Sequence, residues 1–88
     1  MRWNYMRFEN LTKSEQKAII SGLKHIGYYD SQNPEFIQTL IDDDSITINT
    51  ARSGRAVVWI IIDDIKEVAL YVDTLDILSD DDIQRELL

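Results

Sequence analysis

The feature that most constrains this chain is its longest apolar run, AVVWIII, from Ala56 to Ile62. Seven residues cannot cross a bilayer, which takes about twenty as a helix. Rich in valine and isoleucine, the run suits a strand. A strand that is apolar on both faces belongs in the middle of a sheet with cover on each side. Turn signals isolate it: RSGR precedes it, with Gly54 able to take positive φ, and DDIKE follows. Eighty-eight residues make one domain, 1–88. So short a chain has few helices to lay over such a strand, and a second copy is the other source of cover.

The remaining elements read outward from that strand. Ile46 and Ile48 alternate with Thr47 and Asn49, giving a strand before it. Val68, Leu70 and Val72 face one way and Ala69, Tyr71 and Asp73 the other, giving a strand after it. Upstream, Thr12 and Glu15 have capping-box spacing, and Ile19, Leu23 and Ile26 repeat at i, i+4, i+7. That predicts a helix over about 12–26, closed by Gly27 in the left-handed position. Gly22, inside it, marks close packing against a neighbour. Asn33 and Pro34 open a second helix that carries Phe36, Ile37, Leu40 and Ile41 and stops near Asp42. Ser79 caps a short last helix, in which Ile83 and Leu87 dock together. Trp3 and Tyr5 alternate with polar neighbours, which predicts a short edge strand within residues 1–8. The expected fold is therefore α+β: two N-terminal helices, a three-stranded antiparallel meander and a short C-terminal helix.

Charge is the second constraint. The net charge is −7, and it is unevenly spread. Residues 1–29 carry five bases against Glu9 and Glu15, whereas residues 30–88 carry fourteen acids against four bases. An acidic chain is a poor ligand for nucleic acid or an anionic membrane. Three acidic clusters stand out. Asp80, Asp81 and Asp82 follow the Ser79 cap, where the helix dipole favours negative charge. Asp63 and Asp64 fall in a hairpin turn, a favoured place for aspartate. Asp42, Asp43 and Asp44 instead sit at a helix C-terminus, where they oppose the dipole and one another. A local cost without a local return points to function.

No motif for chemistry is present. Cysteine is absent, and the single histidine, His25, suits a helix end. No phosphate-cradling glycine loop or metalloprotease motif occurs. DDDSITINTAR lacks the glycine and the twelfth-position acid of a calcium loop. The expectation is a non-enzyme with no metal and no cofactor. The start, MRWNYMRF, has no apolar signal region, so a cytoplasmic protein is expected, in the host cytoplasm if a phage encodes it.

In size, charge and element order the chain resembles the small acidic anti-CRISPR and anti-restriction inhibitors of phages and mobile elements. The resemblance is one of kind and brings no motif. It implies a protein that occupies the basic nucleic-acid groove of a partner enzyme, its carboxylates standing where phosphates would. The residues expected to bind the partner are Asp42, Asp43 and Asp44, supported by Asp63, Asp64, Asp73 and Asp76, with Glu35 extending the surface. The alternatives are a homo-oligomeric assembly protein, as a homodimer through strand 56–62, and an antitoxin or immunity protein.

Overall fold

A computed structural model describes residues 6–28, 30–64 and 66–88. Its elements are α1 (Lys13–His25), α2 (Pro34–Asp42), β1 (Ile46–Thr50), β2 (Ala56–Ile62), β3 (Lys66–Tyr71) and α3 (Asp80–Glu86), preceded by a single 3-10 turn at Phe8–Asn10. The class is α+β. The strands form an antiparallel meander in the order β1-β2-β3, with the apolar run at its centre. Register pairs Ile46 with Ile60 and Ile60 with Val68.

Both faces of the sheet are covered by this one chain. On one face Ile46, Val58, Ile60, Ile62, Val68 and Leu70 pack with Ile19, Leu23, Ile37 and Ile41 of α1 and α2. α1 lies over β2 and β3, and α2 over β1. At Gly22 the helix comes so close that an added Cβ would stand 2.7 Å from Ile60 Cδ1. On the other face Val57, Ala69 and Tyr71 meet Leu78 and Ile83 of the C-terminal segment. Arg52 fastens α3 to the β1–β2 turn: its N–H donates to Glu86 O at 3.0 Å, and its Nη2 to Leu88 O at 2.7 Å. On this second face the cover thins toward the β2–β3 turn, where Ile61 is 39% exposed and Trp59 half-buried.

Helix ends follow local chemistry. Thr12 and Ser79 both form complete capping boxes, with Glu15 and Asp82 respectively. α1 and α2 end alike. Tyr28 N–H reaches Leu23 O and Gly27 N–H reaches Lys24 O; Ser45 N–H reaches Leu40 O and Asp44 N–H reaches Ile41 O. Each is the double bond of a Schellman motif, which needs a left-handed residue at C′. Gly27 fills that place at φ 88°, and Asp44 fills it at φ 63°.

Two expectations change. The N-terminal edge strand is not seen where the chain is described. Gln38 Oε1 accepts from Phe8 N–H, Gln16 Nε2 donates to Phe8 O, and the backbone closes into a turn that buries Phe8. The part of that reading on residues 1–5 lies outside the described residues. The second hairpin turn is also tighter than DDIKE suggests. Asp63 and Asp64 both adopt left-handed backbone, at φ 56° and 57°, so the reversal is completed early and β3 starts at Lys66, opposite Ile62.

Candidate functional site: the acidic end of the sheet

Register brings two of the acidic clusters together. Ile61 N–H donates to Ser45 O at 2.8 Å, so the α2–β1 junction lies beside the last residues of β2. Asp42, Asp43 and Asp44 therefore share one end of the sheet with Asp63 and Asp64 on the β2–β3 hairpin. Neighbouring strands stand about 4.8 Å apart, which sets the scale of that juxtaposition. All five aspartates are exposed. Their backbones are held by structure rather than left as loose loop: Asp43 caps α2, Asp44 completes the Schellman motif, and Asp63 and Asp64 form the hairpin tip. Asp42 accepts from Gln38 Nε2 at 2.9 Å, and the same side chain bonds to Phe8 and Met6.

Part of the anomaly at Asp42–Asp44 thus has a local answer. Aspartate tolerates left-handed backbone better than most residues, and Asp44, Asp63 and Asp64 are three of the four described non-glycine residues with positive φ. That accounts for one residue of the run. Asp42 and Asp43 still place negative charge at the wrong pole of α2.

The other expected residues do not join this surface. Asp73 and Asp76 lie at the far end of the sheet, about 20 Å along β2 at strand rise. Asp73 is paired there. The Arg55 guanidinium donates to both its oxygens, at 2.8 and 3.2 Å, and stacks 3.5 Å from the centroid of the Tyr71 ring. This hydrogen bonding holds the Asp73 carboxyl below its usual range and raises Arg55. Tyr71 donates its hydroxyl to Glu86 at 3.2 Å; burial first, then that neighbour, pushes the phenol up. Asp76 serves the same corner through its backbone, accepting from Tyr71 N–H. Glu35 stands in the first turn of α2, about 12 Å from Asp43 along the helix. It lines a shallow hollow with Phe8 and Gln38 of about 230 Å³, below the usual range for small-molecule sites.

Among the described residues no group of three acids or histidines is placed to hold a metal ion, and no helix is long and apolar enough to cross a membrane. Trp59 donates its indole N–H to Glu67 at 2.6 Å, and Tyr71 is a core residue under Arg55. Sequence reasoning missed Arg52 and Arg55 as structural anchors; the only signal was their placement on either side of the Ser53–Gly54 turn. Neither a family profile, nor a curated protein, nor a solved structure matches this chain.

Proposed function

We propose that the protein is a binding inhibitor that covers the basic nucleic-acid groove of a partner enzyme in the cytoplasm, with the acidic end of the sheet as its contact surface. The observation that supports the reading is the convergence of Asp42, Asp43, Asp44, Asp63 and Asp64 at one sheet end, on turns whose backbones are fixed. Fixed backbone turns lower the ordering cost on binding. A dense acidic end on a chain of charge −7 steers a basic partner and favours fast, salt-sensitive association. The protein acts by occupation and needs no catalytic group. Asp73, held by Arg55, drops out of the contact set, and Asp76 and Glu35 lie too far away to extend it.

The test is affinity capture with wild-type protein beside Asp42→Asn/Asp43→Asn/Asp63→Asn/Asp64→Asn. Asparagine keeps both shape and tolerance of left-handed backbone. The reading requires a nucleic-acid enzyme that the wild type holds, the variant loses, and added nucleic acid displaces. A partner held equally by both proteins would remove it.

A further inference from the structure

Of the two outer edges of the sheet, one is closed. On β3, Tyr71 N–H donates to Asp76 O at 2.9 Å and Leu78 N–H donates to Ala69 O at 2.8 Å. The next outward position there is Glu67, whose charge discourages strand addition. The edge of β1 differs. Its bonds to β2 use alternate residues, with Ser45 O accepting from Ile61 and Ala51 N–H donating to Arg55 O. Thr47 and Asn49 share that parity, so Ile46, Ile48 and Thr50 aim their N–H and C=O groups away from the sheet. Those groups have no hydrogen-bond partner among the described residues. From Ser45 to Ala51 the sequence SITINTA contains no charge, proline or glycine, so the strand carries none of the residue types that guard an edge.

We infer that β1 pairs with β1 of a second copy, antiparallel about a two-fold axis at Ile48, to make one six-stranded sheet. Outward residues must face outward residues, which allows only registers stepped by two. Centring on Ile48 sets Ile46 against Thr50 and Ile48 against Ile48, three mutually bonded pairs with about six hydrogen bonds. The same register sets Asp44, four residues before the axis, against Arg52, four residues after it. The acidic run at the start of the strand therefore meets the base at its end. A shift of two residues in either direction loses one bonded pair; in one direction Arg52 then faces Asp42 instead of Asp44, so hydrogen bonding selects this register among those the charges allow. The Arg52 guanidinium has five donors, of which one, on Nη2, is engaged by Leu88 O in the described chain, while its backbone N–H is held by Glu86 O. Ile48, half-buried in one copy, is covered by its twin. The seam engages Asp44 and leaves Asp63 and Asp64 outside it; the variant that tests inhibition keeps Asp44, so pairing and the proposed inhibition can fail separately.

Sedimentation velocity of the full chain tests the dimer, and site-specific oxidation tests its register. The chain has no cysteine. In the inferred register Thr47 opposes Asn49 of the second copy as a non-bonded pair with Cα atoms about 4.5 Å apart, within disulfide reach. We expect twice the 10.3 kDa chain mass, and a covalent dimer from a mixture of Thr47→Cys and Asn49→Cys proteins but not from either alone. Thr50→Pro removes an outward donor that β2 does not use, and should give a monomer with an unchanged circular dichroism spectrum. Arg52→Glu should weaken the dimer at least about tenfold through like-charge opposition to Asp44, and carries the test if Thr50→Pro does not fold. A chain that stays monomeric at all concentrations overturns the inference. So does a dimer that ignores Arg52→Glu and yields no cross-link from the mixture.

Discussion

Gly22 sets how closely α1 can approach the sheet, and it offers a sharp test of the packing. A Cβ there would lie 2.7 Å from Ile60 Cδ1, 3.0 Å from Leu70 Cδ2 and 3.4 Å from Val68 Cγ1. Ile60 and Leu70 are fully buried, so their tips have little room to retreat. Forcing a methyl into such a site costs about 1–3 kcal/mol. Alanine returns about 1 kcal/mol through helix propensity. Gly22→Ala should therefore lose about 1 kcal/mol, a fall in Tm of roughly 4–8 °C for a domain of this size. Ile60→Val removes the atom in closest conflict and alone should cost about 0.5–1.5 kcal/mol. In the double variant the new methyl occupies the space that Cδ1 leaves. The two changes should then offset each other by about 1 kcal/mol in a double-mutant cycle, measured by urea unfolding with tryptophan fluorescence. A cycle additive within about 0.5 kcal/mol would refute the reasoning, as would a Gly22→Ala protein more stable than wild type.

Other outcomes follow from single contacts. Gly27→Ala places a Cβ on backbone at φ 88° with no contact in return, and should cost about 1 kcal/mol in thermal melts. Ser79→Ala removes the α3 capping box and should cost about 1 kcal/mol, with early exposure of the Tyr71 face in hydrogen exchange. Asp73 is held below its ordinary value of 3.8 by Arg55. Its contribution is therefore present above that value and lost as pH falls through the depressed one; Asp73→Asn should flatten the acid limb of a Tm–pH profile. Tyr71 is raised above 10.0 by burial and Glu86. Its contribution is full below that pH and is lost as pH rises through the raised value, so Tyr71→Phe should reduce the alkaline loss of stability, and Tyr71 should be a late phenolate in ultraviolet titration.

Much of the fold is legible because local signals agree with tertiary ones. Thr12–Glu15, Asn33–Pro34 and Ser79 mark three helix starts within a residue, since a capping side chain acts over one turn. AVVWIII reads as the central strand because two-sided apolarity demands two covers. The N-terminal turn was hidden because its cause, Gln38, is thirty residues away from Phe8. The early start of β3 was hidden because nothing in DDIKE says that both aspartates take left-handed backbone. For the site, residue type was readable and grouping was not. Register joins Asp42–Asp44 to Asp63–Asp64 and separates both from Asp73 and Asp76, and register belongs to the assembled sheet. The same register places β2 between β1 and β3 with both of its edges used, so strand 56–62 has no edge left to pair with a second copy.

The central claim is that the acidic end of the sheet is a binding surface for a basic, nucleic-acid-handling protein. The most direct measurement is the affinity of the captured partner across a salt series, for wild type and for Asp42→Asn/Asp43→Asn/Asp63→Asn/Asp64→Asn. The account predicts wild-type affinity that falls steeply with salt, and a variant that binds weakly with a much shallower slope. Equal affinities with the same flat salt dependence would contradict it.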